Sequence, residues 1–555
     1  MLKHVLSVLL LVATCASVFG GEADPAAEMP ADAVVFVSVK DVRAVIPAAA
    51  RLLERPDLVK PAKLAAVALE QLGKIIAGRL SIALVMPAEG REEPAFLLRL
   101  PVDETKAKAD DVIRASIAEF AGAENAEFET AGGIPHLKSK RGRAELYWAV
   151  KDKVLYASNE WTLVAQRVLT LPGPAIMPLT ETAAYKRLGE HADWSGDVTV
   201  FVDLKRTVWR HMRPPAEADI PERPLDYGAV LLQWLLPTQF EAAGFSWKSD
   251  GKTGSGRLAV LTPKERKGLA ALLDVPNAPL AHIEHIPENV QVFSAMAPVA
   301  RGVIKRAAKF MAALDPEIAK EFEDELAEFG KELGVDIARD LFDNVGASAT
   351  AARLPGAGEI AIYSVMSVRD KAAFEKCADA LANYNKTPLR RHVRGGRTFR
   401  ILETKPATGF TFEGGRLFYS NTFEAVEKML AVKELGPSLA TAAAFKKLRA
   451  RLPKESVWML AADADWASQM GTMLLTLVPE LRKSVSVAAL DKLLEPFKRA
   501  GAGLSMGVAL RNEPGALVVH AEDLTGGTSK LLEGIAGILT PAAEGARAGP
   551  ENPKE

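Results

Sequence analysis

Apolar positions along this chain switch between two periods. Short β-branched runs at period two predict strands, and apolar residues recurring at i, i+3 and i+4 predict helices. The run AVVFVSV over 33–39, introduced by Met29-Pro30-Ala31-Asp32, reads as the first strand. Helices are expected over 42–53 and 64–76, then strands over 80–85 and 95–102. A helix beginning at Asp103 carries Val112, Ile113, Ile117 and Phe120 on one face. Four strands follow, over 126–130, 136–140, 144–150 and 154–158. Their connections at Gly132-Gly133, Arg141-Gly142 and Lys151-Asp152-Lys153 are short enough to make antiparallel hairpins. Helices over 161–171 and 182–191, a strand over 198–204, a helix over 231–236 and a hairpin of 243–248 with 257–261 complete this stretch.

The same pattern is then written again. PLTETAAYKRLGEHADWSGDVTVFVDL, from Pro178 to Leu204, returns as SLATAAAFKKLRARLPKESVWMLAADA, from Ser438 to Ala464. Leu179, Ala183, Ala184, Lys186, Leu188 and Asp203 meet Leu439, Ala443, Ala444, Lys446, Leu448 and Asp463 at one offset, and Tyr185 meets Phe445. Weaker matches follow in unbroken order: Phe36 with Phe293, Gly132-Gly133 with Gly395-Gly396, Ser158-Asn159 with Ser420-Asn421, and Gly244 with Gly503. Copies this long exceed a solenoid repeat of roughly 20 to 50 residues. The expectation is an α+β protein with an internal duplication, two related units of antiparallel sheet with helices packed on it. The first unit spans 29–262, a linker 263–286, the second unit 287–524, and a C-terminal helix and disordered tail 525–555.

Residues 1–20, MLKHVLSVLLLVATCASVFG, have a charged start, a short apolar run and small residues before Gly21, the pattern of a secretory signal peptide. The apolar run falls short of the roughly 20 residues that span a bilayer. Cys15 follows Thr14 where a lipoprotein signal needs a small residue, so the expectation is export to the periplasm or outside the cell without a lipid anchor. No later segment qualifies as a permanent transmembrane span. With 69 Lys and Arg against 70 Asp and Glu, the chain is near neutral and is not built as a nucleic-acid binder. Only Cys377 remains once the leader is gone, so no intramolecular disulfide can form and the core must hold the fold.

The Pro30-Ala31-Asp32 lead-in to an apolar strand, the run Phe329-Gly330, Gly334-Val335-Asp336 and Asp340-Leu341-Phe342, and a strand ending in Ser-Asn before a helix resemble an exported bacterial family defined only as a domain of unknown function. The second copy departs from it with Glu288-Asn289 in place of Ala31-Asp32. The resemblance implies export and domain organisation and assigns no catalytic residue.

Candidate chemistry is sparse. Gly503-Leu504-Ser505-Met506-Gly507 matches the nucleophile-elbow pattern, which needs strand, sharp turn and helix, but apolar alternation continues beyond Ser505 and predicts a strand. Gly251-Lys252-Thr253 lacks the upstream glycine of a phosphate loop and reads as a polar turn. His282 and His285 offer two imidazoles without a third ligand, so no metal and no cofactor is expected. Asp203 and Asp463 end apolar strands and read as helix caps. Two surfaces remain as contact candidates. One is a basic hairpin system, with Arg390, Arg391, Arg394, Arg397 and Arg400 in the second copy and Lys138, Lys140, Arg141 and Arg143 in the first, suited to an anionic partner or to protecting an exposed edge. The other is the Pro-rich stretch 213–226, with Trp209, Arg213, Asp219, Arg223 and Tyr227. The expected function is a non-enzymatic binding or scaffold protein of the bacterial envelope, with a partner on the sheet faces or in the groove between copies. An extracytoplasmic hydrolase and a lipid-handling carrier are the alternatives.

Overall fold

The computed structural model describes residues 24–40, 75–86, 94–105, 108–121, 126–139, 145–169, 177–207, 240–250, 252–266, 271, 274–312, 316–353, 360–387, 389–402, 408–463 and 503–525. The expected leader with Cys15, the helices over 42–53 and 231–236, Lys140, Arg141, Arg143, the whole contact stretch from Trp209 to Tyr227 and the tail beyond Thr525 lie outside them.

The strands follow the period-two runs closely. In the first half they are β1 (Ala33–Val39), β2 (Leu80–Val85), β3 (Ala95–Pro101), β4 (Ala126–Ala131), β5 (Ile134–Ser139), β6 (Glu145–Lys151), β7 (Val154–Ser158), β8 (Val198–Asp203), β9 (Ala242–Ser249) and β10 (Gly254–Leu261). In the second half they are β11 (Val292–Met296), β12 (Val345–Arg353), β13 (Ala361–Val368), β14 (Leu389–Arg394), β15 (Arg397–Leu402), β16 (Thr408–Glu413), β17 (Arg416–Ser420), β18 (Trp458–Ala462), β19 (Met506–Glu513) and β20 (Ala516–Asp523). All twenty join one antiparallel sheet. The order outward from its centre is β10-β9-β8-β1-β2-β3-β7-β6-β5-β4 on one side. On the other side it is β20-β19-β18-β11-β12-β13-β17-β16-β15-β14. Each half therefore repeats the other strand for strand, and β10 pairs with β20 across the middle over eight residues, from Gly254 opposite Asp523 to Leu261 opposite Ala516.

Helices cover the sheet where its side chains are apolar on both faces. Buried at all seven positions, β1 sends Val35, Val37 and Val39 to one face and Phe36 to the other, the reading of a strand covered on both sides. On the Phe36 face lie α2 (Trp161–Val168) and α3 (Ala183–Gly189), with Leu163, Val164, Tyr185 and Leu188 buried against Phe36, Leu97 and Phe201. α7 (Phe423–Leu435) and α8 (Ala443–Arg451) repeat this arrangement, with Val426, Met429, Phe445 and Leu448 against Phe293, Val365 and Phe418. α1 (Ala109–Ala121) covers the Val35 face, where Trp148 Nε1 donates to Asp110 at 2.7 Å. It begins at Ala109 and not at Asp103, because the Asp103 carboxylate accepts from Thr105 N and Oγ1 and closes a separate turn. Among the remaining helices, α4 (Val303–Ala312) packs on α5 (Pro316–Leu333), and α6 (Lys371–Tyr384) buries Phe374 with Val368 and Leu417. Phe329 of α5 meets Tyr384 edge-to-face, while Ile318 of the same helix is exposed.

The most similar stretch of the two halves performs three tasks in each. It clamps the lead-in to the first strand, through Leu179 N to Met29 O at 2.8 Å and Leu439 N to Ile286 O at 2.7 Å. It supplies the helix whose leucine seals the core, and it ends in the strand that pairs with the first one. Ser158-Asn159 and Ser420-Asn421 have a parallel explanation. Asn159 Oδ1 accepts from Phe96 N and Asn421 Oδ1 from Ile362 N, at 3.0 and 2.9 Å, while each serine hydroxyl bonds the same residue's carbonyl. These bonds tie the start of the third strand to the end of the seventh.

One register differs from the sequence reading. Gly244 lies opposite Phe201 and Gly507 opposite Ala461, so Gly507, not Gly503, is its counterpart. A Cβ at Gly244 would lie 3.3 Å from Leu188, and one at Gly507 3.1 Å from Leu448, the matched leucines of α3 and α8. The glycines thus mark where a helix presses on the strand.

Trp247 lies across Gly254 and Gly256 on the Val35 face, where a Cβ at Gly254 would fall 2.3 Å from its ring. Gly254→Ala is expected to cost about 1–3 kcal/mol by overpacking. Trp247→Leu in the same chain should recover much of that loss, as read by urea denaturation of the two single variants and the double variant.

Candidate functional site

Opposite residues of an antiparallel pair share a face, which places three rows of side chains under the gap between α3 and α8. The middle row is Ser246, Arg257, His520 and Ala509. Gly244, Ala259, Val518 and Arg511 form one flanking row, and Lys248, Ser255, Glu522 and Gly507 the other. The matching strand orders exchange these flanking rows: Ala259 stands opposite Gly244 as Glu522 stands opposite Gly507, and Val518 corresponds to Ser255. Arg257 and His520, directly opposite each other, are each other's counterparts on the axis of this exchange.

Chemistry diverges between the two flanking rows. Ala259 and Val518 are buried in the apolar core under α3. Their counterparts Glu522 and Ser255 line a cavity of about 90 Å³ together with Arg257, His520, Lys248, Arg451 and Asp193. Since Ala259 and Val518 close the fold well on one side, packing does not require polar groups at the same positions on the other.

The electrostatics of the cavity are uneven. Burial pushes the Glu522 carboxyl above its usual range, opposed by Arg451, whose Nη1 lies 3.5 Å away. Burial also raises Asp193, but bonds from Ser195 N and Oγ, at 3.0 and 2.6 Å, outweigh this and hold it low. His520 is depressed to about 4, first by burial and then by Arg257. Its Nε2 is buried and finds no hydrogen-bond partner among the described residues. The two carboxylates are therefore engaged, and a neutral imidazole stands beside cations with a ring nitrogen to spare. Such a convergence of polar groups in a cleft is suited to holding a small polar ligand. A larger cleft of about 310 Å³, between Pro287–Asn289 and the end of α7, is lined mainly by apolar atoms of Ala431, Val432 and Pro437 and brings no comparable set of polar groups together.

The residues singled out from sequence fall elsewhere. All five arginines lie on the β14–β15 hairpin, and β14 is an edge strand among the described residues. Arg391 faces Arg400 and Arg394 faces Arg397 across the pair, a repulsive arrangement that nearby acids relieve. Arg394 meets Glu427 at 3.2 Å, Arg397 meets Glu413 at 2.8 Å and Arg400 meets Asp379 at 3.2 Å. Arg394, Arg397 and Arg400 are thus neutralised locally, which fits edge protection. The backbone of Lys138 lies in β5.

Ser505 passes directly into β19 with no helix following, and its Oγ has no hydrogen-bond partner among the described residues, so the elbow geometry is absent there. His282 Nε2 pairs with Ser367 Oγ at 2.9 Å, and His285 packs edge-to-face on Phe418. Ile283–His285 is a 3-10 turn matching Pro25–Glu28 before β1. Among the described residues no three potential metal ligands converge. Asp203 accepts from Arg206 N at 3.0 Å and caps the turn Leu204–Thr207, while the residues after Asp463 lie outside the described set.

Sequence reasoning placed a partner in the groove between copies but did not single out Arg257, His520 or Glu522. Their signal, polar residues inside otherwise apolar strands, emerges only once the correct strand register is known. A histidine depressed by burial takes up more protons unfolded than folded between pH 6.5 and 4, so stability falls as pH drops through that window. His520→Gln should flatten this fall by at most about 3 kcal/mol, less any solvent screening. Urea denaturation of both chains at pH 7 and pH 4.5 measures it.

No protein-family model and no curated protein matches the chain. Among solved structures it is similar to TP0453 in crystal form I, at 10% identity and a TM-score of 0.27, over 46% of this chain and 85% of that one. TP0453 in crystal form III gives 9% identity and 0.26, over 45% and 85%. Crystal form IV gives 10% and 0.26, over 43% and 81%.

Proposed function

We propose that this chain is an exported, non-enzymatic binding protein of the bacterial envelope, built by internal duplication, which holds a small polar ligand at the seam between its two units. The units are the 29–262 and 287–524 segments, and the repetition of strand order outward from β10 and β20 supports their common origin. A single observation carries the binding reading: at exchanged positions of the seam, one row is apolar core and the other is a polar cavity. Duplicated halves start with the same residues, and charge inside a sheet is costly unless it is used or compensated. Retention of Glu522 beside an unpartnered imidazole marks the row under selection for more than packing. Export rests on the sequence of residues 1–20.

Native mass spectrometry of the mature chain, purified gently from the envelope of its host, tests this. The expected outcome is cleavage after Gly20 and one small molecule bound at unit stoichiometry, released on denaturation and lost in His520→Leu. An unprocessed cytoplasmic chain would overturn export. A ligand-free chain that also fails to take up any small molecule from a host extract would overturn the binding reading.

A further inference from the structure

We infer that the seam cavity is an oxyanion site, in which the guanidinium of Arg257 and the ammonium of Lys248 hold a phosphate or carboxylate group of the ligand and the His520 ring lies against it. This deepens the binding reading above and rests on it.

Five ionised side chains line the cavity: Lys248, Arg257 and Arg451 are cationic, and Asp193 and Glu522 are acidic. Asp193 accepts from Ser195 N and Oγ on Oδ1, and its charge is felt by Lys248 and Arg257 across the cavity. Glu522 has Arg451 as its ion-pair partner at 3.5 Å. Arg257 and Lys248 feel the charge of Asp193, and Arg257 that of Glu522, but neither cation makes a direct hydrogen bond or close ion pair with a described residue, so their donors remain available. Glu522 opposes an anion, yet it is already paired, and burial pushes it toward its neutral form.

Geometry sets the arrangement of these groups. Lys248 is opposite Ser255 on β9–β10, while Ser255 is opposite Glu522 and Arg257 opposite His520 on β10–β20. The two cations, the Ser255 hydroxyl and the imidazole therefore lie on adjacent strands of one face, within two residues of each other along the sheet. A planar fork beside a compact ammonium and neutral donors is the donor set that fits a trigonal or tetrahedral oxyanion. About 90 Å³ accommodates a group of a few heavy atoms, comparable to about three waters of liquid. The rest of a larger ligand would lie outside it.

The counterpart positions strengthen the case. Where β10 has Arg257, β20 has His520. Where β9 has Lys248 without an ion pair, β19 has Arg511, bound to Glu513 at 2.8 Å. Nature of the pairing, and not only of the residue, distinguishes the two sides: the cation beside the polar row is left open, and its twin beside the apolar row is closed.

The test is isothermal titration of the full mature chain with inorganic phosphate and, separately, with acetate, with choline chloride as a cation control. One saturable site for at least one oxyanion and none for choline is expected. Arg257→Gln and Lys248→Gln should each weaken binding at least tenfold with an unchanged melting temperature, and Lys264→Gln, on an exposed lysine elsewhere, should not. Glu522→Gln removes the opposing carboxylate and should tighten binding several-fold. Co-sedimentation with phosphatidylglycerol vesicles, lost in Arg257→Gln, would assign the oxyanion to a lipid headgroup; binding to phosphate or acetate without vesicle binding assigns it to a free ion or metabolite. No saturable oxyanion binding, or binding that survives both cation variants, overturns the inference. A stoichiometric neutral or cationic ligand that is lost in His520→Leu would sink the oxyanion assignment while leaving the binding reading intact. A chain empty by both methods removes both.

Discussion

Eight residue pairs between β10 and β20 hold this molecule together as one sheet. Without that ladder each half would end in an exposed central strand, with a row of unpaired amides and carbonyls and an apolar face beneath it. With it, Ala516 and Val518 from the second half complete the core under α3, and Ala521 packs on the core of the opposite face. Neighbouring contacts reinforce the same junction. Thr262 N bonds Gly515 O at 2.9 Å, and the buried Arg266 donates to the carbonyls of Glu513 and Ala516. His191 reaches Glu513 at 2.7 Å. The segment leaving the first half is thereby pinned to the last hairpin of the second, and the position of every outer strand follows from this centre.

A frame repeated in this way shows which chemical differences the fold tolerates. Before β1, Glu28 bonds the Tyr156 hydroxyl and lies 2.9 Å from Arg99, with Arg167 of α2 nearby. The matching positions before β11 hold His285, Phe418, Val365 and Met429, all buried in the core of the second half. One backbone arrangement thus accepts a carboxylate–arginine–tyrosine cluster on one side and a histidine among apolar side chains on the other. Burial alone would raise Glu28, but Arg99 and Tyr156 outweigh it and hold the carboxyl below its usual range.

That contrast separates structural polarity from functional polarity. On the β14–β15 edge acids and arginines largely satisfy one another, and in the first half Glu28 is paired with Arg99, although Arg167 Nε and Nη2 are buried there without a hydrogen-bond partner among the described residues. In the seam cavity two cations make no direct hydrogen bond or close ion pair with a described residue, and a ring nitrogen stands unpartnered beside a paired carboxylate. Charge density by itself would have favoured the arginine hairpin. The state of pairing favours the seam.

The sequence by itself determined the strands, the hairpins and the repetition. Alternation in AVVFVSV, two-residue turns such as Gly132-Gly133 and the repeated helix-strand stretch are local signals, set by side-chain period and turn conformation. Exposure and pairing of the arginine hairpin, the packing role of His285 and the turn that delays α1 required the neighbours that those residues meet. Tertiary structure alone decided that two units share one sheet, that Gly507 corresponds to Gly244, and that Arg257, His520, Glu522 and Lys248 converge. These depend on which strand pairs with which, half a chain away, and a register shift of one residue would have turned each side chain to the opposite face.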